Sequence, residues 1–110
     1  MRVQTDIALH LNEFQTLCKE FGVSLLYAFG SSTTNKFTEQ SDIDLLVEID
    51  IPDAVERGER LMSLWDKLEL FFKRKVDLLT NNSIKNPYLR KSIDQTKVLL
   101  YDGKRDQVFV

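Results

Sequence analysis

Two acids one residue apart, Asp42 and Asp44, follow a Gly30-Ser31 pair across the spacer 32–41. In a strand, side chains at i and i+2 point to one face, so the two carboxylates project together, about 6.6 Å apart along the backbone. Carboxylate oxygens so placed suit hard cations. Two-metal phosphoryl-transfer sites hold their ions roughly 3.5–4 Å apart, a span such a pair can bridge. Without a cation the neighbours would repel and resist joint ionisation. Ile43, Leu45, Leu46, Val47 and Ile49 around them are apolar, which predicts a buried strand with acids at its mouth, where a lone charge is costly. The plainer reading is that Asp42 is only the exposed start of that strand, set by Ser41-Asp42 turn chemistry.

Gly30-Ser31 supplies what the acids lack. A glycine directly after a buried strand lets the backbone approach a ligand closely. A following serine adds a hydroxyl, and N–H groups at a helix start or nest bind phosphate oxygens. Alone, Gly-Ser is an ordinary strand-to-loop turn. The four fixed residues together recur by chance in roughly one chain of this length per thousand, at about 6–7% usage each, so the combination carries the weight. A third acid, Asp77, lies in Lys75-Val76-Asp77-Leu78-Leu79, although aspartate is depleted in strands. If that strand pairs beside the Asp42-Asp44 strand, Asp77 can face both acids as a metal ligand or general base. The alternative is an aspartate paired with Lys73 or Lys75 at a sheet edge.

The pattern Gly-Ser, a spacer of about ten residues, Asp-x-Asp and a later strand carboxylate resembles the minimal nucleotidyltransferase family of the DNA polymerase β superfamily, over roughly residues 20–101. The resemblance implies that Asp42, Asp44 and Asp77 form the catalytic and metal-binding triad of acids, with two Mg²⁺ ions. It also implies that Gly30 and Ser31 hold the triphosphate of ATP. Stand-alone proteins of that family are often antitoxins paired with a HEPN-domain ribonuclease toxin, and some transfer AMP from ATP to a tyrosine of the toxin. Many relatives carry Arg-Gly shortly after the Gly-Ser pair. Here Ser32-Thr33-Thr34-Asn35 stands instead, and Lys36 is the candidate substitute for the missing basic group at the nucleotide.

Two rivals belong to other classes. One is a non-catalytic antitoxin or nucleotide-binding module that neutralises its partner by direct binding. The other is a sugar transferase using Asp-x-Asp, for which the chain is too short to enclose donor and acceptor together.

The elements that must position these residues read as follows. Asp6 serves as N-cap of a first helix, with Ile7, Leu11, Phe14, Leu17, Cys18 and Phe21 at helical spacing and Gly22 at its end. Val23 to Phe29 is a buried strand, 30–41 a loop with room for one helical turn after Ser31, and Ile43 to Ile49 a second strand. Pro52-Asp53 opens a long helix with Val55, Leu61, Met62, Leu64, Trp65, Leu68, Phe71 and Phe72 on its core side, weakened by Gly58. Lys75 to Leu79 is a third strand. Asn86-Pro87 starts a helix to about Gln95. Val98 to Tyr101 is a fourth strand, and the tail 104–110 is open between pairing and hanging loose. This order predicts an α/β (α+β) fold: one small domain over 1–110, a mixed sheet of about four strands, and helices packed mainly on one face.

Composition sets the outer limits. The chain has 110 residues, 43% hydrophobic and 29% charged, enough for a packed core. A net charge of −2 argues against non-specific nucleic-acid or membrane-surface binding. The single cysteine, Cys18, excludes an internal disulfide and reads as a buried, inert thiol. No segment approaches a membrane span or a signal peptide, so the cytoplasm is the expected compartment. Surface charges at Glu56, Arg57, Glu59 and Arg60, and at Lys73-Arg74-Lys75, read as solvated faces or partner docking points. His10 reads as a helix-surface residue.

Overall fold

The computed structural model describes residues 2–110. The apolar runs fold as their patterns dictate: β1 spans Val23–Phe29 and β2 spans Ile43–Ile49. They pair antiparallel, with Phe29 opposite Asp44. Between them, Gly30–Thr33 makes one 3₁₀ turn. The helix Ala54–Phe72, α3, then crosses over to β3, Val76–Leu79, which lies parallel to β2. Asp53 caps α3, its carboxylate accepting the Glu56 N–H at 3.0 Å. The helix Pro87–Thr96, α4, starts at Asn86, whose side chain accepts the Tyr88 N–H at 2.8 Å. The strands Val98–Asp102, β4, and Gln107–Val108, β5, complete a mixed five-stranded sheet of order β3-β2-β1-β4-β5. The tail therefore pairs.

Strand alternation divides the sheet into two faces. Ile43, Leu45 and Val47 of β2, Val76 and Leu78 of β3, and Leu26 and Ala28 of β1 join one core with three helices. From the helices come Val3 and Ile7, Phe14 and Cys18, and Leu64, Leu68 and Phe72. The opposite face is smaller: Phe29 and Leu46 pack on Ile93 of α4, with Tyr27, Leu79 and Ile84 around them. Helices thus favour one face, and α4 alone covers the second. Truncating a fully buried leucine such as Leu64 or Leu68 to alanine would cost about 2–5 kcal/mol.

Three sequence expectations need correction. The first helix is two: Arg2–Leu9, α1, and Leu11–Glu20, α2, broken at His10. Asp6 lies inside α1, 3.8 Å from the Arg2 guanidinium, and caps nothing. Val55 and Met62 are 69% and 70% exposed rather than buried with their helix neighbours. The cause is phase: at about 100° per residue, Val55 is half a turn out of register with Leu64, and Met62 about 200° away. Trp65, by contrast, packs against the core, and its Nε1–H donates to the Val76 carbonyl at 2.6 Å. Cys18 is buried, and that burial pushes its thiol up to about 12. Among the described residues no helix is long and apolar enough to cross a membrane.

Candidate active site

Asp44 is the second residue of β2, and Asp42 immediately precedes that strand. Because Ile43, Leu45 and Val47 face the larger core, Asp42 and Asp44 share the other face, the one α4 partly covers. The same alternation turns Asp77 to that face, since Val76 and Leu78 are buried on the first. Parallel pairing then sets Asp44 and Asp77 directly opposite one another. Asp42 and Asp44 are half-buried, while Asp77 stands exposed on the edge strand β3.

The electrostatics follow from this juxtaposition. Burial, then the Asp77 carboxylate, then that of Asp42, push the Asp44 carboxyl up to about 6. Among the described residues no lysine or arginine makes an ion pair with any of the three acids; the ion pairs lie elsewhere. Asp77 therefore does not pair with Lys73 or Lys75. Nor, among the described residues, do three acidic, histidine or cysteine side chains stand close enough to form a ready-made metal cage. What exists is a pair of opposed carboxylates with a third beside them and no internal cation to balance them.

Gly30 closes the other side of this arrangement. Its φ is +63°, the left-handed region that glycine enters without a steric penalty. A Cβ there would stand 3.0 Å from Asp44 Oδ2, so the glycine both makes the turn and leaves space for the carboxylate. Its N–H is not free, however: it donates to Thr96 Oγ1 at 2.8 Å. Ser31 follows, half-buried, in the same 3₁₀ turn. Lys36 is exposed beyond the turn, where its backbone N–H donates to Thr34 Oγ1 at 3.3 Å.

Sequence reasoning passed over three contributors. Ser32, fully buried, accepts the Asp44 N–H on its Oγ at 2.9 Å and so joins the turn after β1 to the start of β2. Thr96 ties the end of α4 to Gly30. Arg74 donates to the carbonyls of Thr38 and Ser41 at 3.1 and 3.0 Å, and it lies over the Phe37 ring at 4.7 Å. It therefore fixes the chain that delivers Asp42, and is not a free docking charge. Arg90 is held by the Asn81 side chain and carbonyl at 2.9 and 3.0 Å. A groove of about 500 Å³, lined by Val47, Glu48, Arg57, Leu61, Thr80 and Asn81, lies at the far end of β2 and includes none of the acids. What distinguishes the acids is the juxtaposition of like charges, two of them half-buried.

Comparison with known proteins gives the same direction. Residues 11–100 match the family model described as the nucleotidyltransferase domain. A Methanocaldococcus jannaschii protein named as a candidate protein adenylyltransferase is 36% identical over 96 residues, 86% of this chain and 95% of the relative. Among solved structures, a chain from a toxin–antitoxin crystal structure with AMP-PNP has a TM-score of 0.60 at 26% identity, covering 86% of this chain and 75% of that one. A chain from the complex of a tri-AMPylated Shewanella oneidensis HEPN toxin with an MNT antitoxin shares the fold, with a TM-score of 0.51 at 24% identity over 90% of this chain and 75% of that one.

Proposed function

The chain belongs to the nucleotidyltransferase domain family, and from that premise we propose that it transfers AMP from ATP to a hydroxyl, probed first as a tyrosine, of a HEPN-type toxin for which it is the antitoxin. The observation that carries this reading is the register pairing of Asp44 with Asp77 beside Asp42, next to a glycine turn shaped around Asp44. The adenylyltransferase name of the archaeal relative and the ATP analogue in the toxin–antitoxin structure support the donor and the partner.

In the proposed reaction the acceptor oxygen attacks the α-phosphorus in line. The bond from that phosphorus to the bridging oxygen breaks, pyrophosphate leaves with the electron pair, and AMP stays on the acceptor. Asp77, exposed and opposite Asp44, takes the acceptor proton. Asp42 and Asp44 would hold Mg²⁺, two ions in the full reading, which supply charge neutralisation to the phosphates. The donor set fits: Mg²⁺ takes one or two carboxylates and completes its shell with water and phosphate oxygens, so no all-protein cage is required. Ser31 and Lys36 would meet the triphosphate, with Lys36 standing in for the absent Arg-Gly. Most of the acceleration would come from positioning and electrostatics.

Intact-mass analysis of the toxin co-expressed with this chain tests the reading. One or more AMP increments on the toxin are expected, and none with Asp42→Asn. A toxin held in a stable complex yet unmodified would instead favour a purely occluding antitoxin, a reading that Ser32–Asn35 in place of Arg-Gly supports.

A further inference from the structure

Thr96 ends α4, and it reaches Gly30 across 66 positions of sequence. Its hydroxyl donates to the Ser92 carbonyl at 2.8 Å and accepts the Gly30 N–H at 2.8 Å. A hydroxyl has one hydrogen and two lone pairs. With the hydrogen committed to Ser92, only a lone pair faces Gly30, and the contact has one polarity: the glycine gives and the threonine receives.

The rest of the turn is pinned as well. Thr33 Oγ1 donates to the Gly30 carbonyl at 3.0 Å, and Ser32 Oγ holds the Asp44 N–H. The first N–H groups of a helical turn have no partner within it. Thr96 takes that of Gly30 and Ser32 is fully buried, so the N–H and hydroxyl of the half-buried Ser31 are the donors of this turn that a polyphosphate would meet. Rotating Gly30 away from φ +63° would re-aim them all.

We infer that Thr96 is a positioning residue for the nucleotide: its hydroxyl locks the Gly30 amide and thereby sets the direction in which Ser31 presents its donors to a triphosphate. The Thr96 hydroxyl is bonded to Ser92 and Gly30 and, on this inference, not to the nucleotide. The inference rests on the proposed nucleotide role of Gly30-Ser31 and adds a residue outside the Gly-Ser and Asp-x-Asp pattern.

The test uses the full chain with its toxin. Thr96→Val keeps shape and removes the acceptor, whereas Thr96→Ser keeps the hydroxyl. Thr96→Val should raise KM for Mg·ATP about tenfold while kcat stays within about twofold, the signature of lost ground-state and transition-state binding alike. Thr96→Ser should return KM to within about threefold of wild type. Backbone amide exchange followed by NMR gives a readout independent of turnover: Gly30 N–H should be protected in the wild type and in Thr96→Ser. A wild-type KM in Thr96→Val, or damage in Thr96→Ser equal to that in Thr96→Val, overturns the inference. So does a Gly30 amide in the wild type that exchanges like an exposed one, even if Thr96→Val does not fold. A wild type that neither binds nor turns over Mg·ATP ends the proposed function and this inference together; a wild-type enzyme indifferent to Thr96→Val ends this inference alone.

Discussion

Asp44 and Asp77 are register partners across the parallel pair of β2 and β3, so two like charges face each other on one side of the sheet. No protein cation forms an ion pair with them among the described residues, and burial first, then the Asp77 and Asp42 carboxylates, raise the Asp44 carboxyl to about 6. Such a pairing costs the fold stability, as expected of a candidate functional site.

The pH dependence of stability follows with a definite sign. An unfolded aspartate titrates near 3.9, so between about pH 4 and 6 the folded chain binds more protons at Asp44 than the unfolded one. Stability from this group is therefore greatest below about pH 4, falls through that window and is level above it. Asp44→Asn removes the charge. It should be more stable than wild type at pH 7.5, by about 1 kcal/mol once the group's partial exposure is discounted, with the gap closing towards pH 4. Urea unfolding at the two pH values checks this; a less stable Asp44→Asn at pH 7.5 would contradict it.

Gly30→Ala meets two obstacles at once, a φ of +63° and a contact at 3.0 Å with Asp44 Oδ2. A stability loss of about 1–2 kcal/mol is expected from the backbone alone. The displaced carboxylate should weaken Mg·ATP binding further. Chemical denaturation and calorimetric titration measure the two separately, and wild-type values in both would show that the turn has no need of glycine.

Ser32→Ala strips the acceptor from the Asp44 N–H inside a fully buried position. An unsatisfied donor of that kind costs about 1–3 kcal/mol, read as a lower urea midpoint at unchanged slope.

Lys36→Ala tests the substitute for the missing Arg-Gly. The side chain is exposed and has no ion-pair partner among the described residues, so stability should not change. KM for ATP should rise several-fold. An unchanged KM would assign the phosphate contact to the turn alone.

Much of this site is legible in the sequence, and the reasons are physical. The runs Val23–Phe29 and Ile43–Ile49 are apolar and stop at glycine or acid, so their strands appear with the bounds the pattern predicts. The facing of Asp77 towards Asp44 follows once β3 lies beside β2, because period-two alternation fixes the rest. The break at His10 is not legible, since Ile7, Leu11 and Phe14 keep helical spacing straight across it. Val55 and Met62 mislead because apolar character alone, without helical phase, does not assign a helix face. Ser32 and Thr96 are hidden for a different reason: they are polar residues whose partners, Asp44 and Gly30, are distant in the chain and joined only by tertiary folding.

The most direct test of three acids acting together on ATP is a comparison of ATP labelled at the α- or the γ-phosphate, incubated with Mg²⁺, this chain and the proposed toxin partner. Label from the α position should appear on the toxin and γ label should not. Asp44→Asn and Asp77→Asn, with unfolding transitions showing them intact, should transfer neither. Full α-label transfer by either variant would contradict the account.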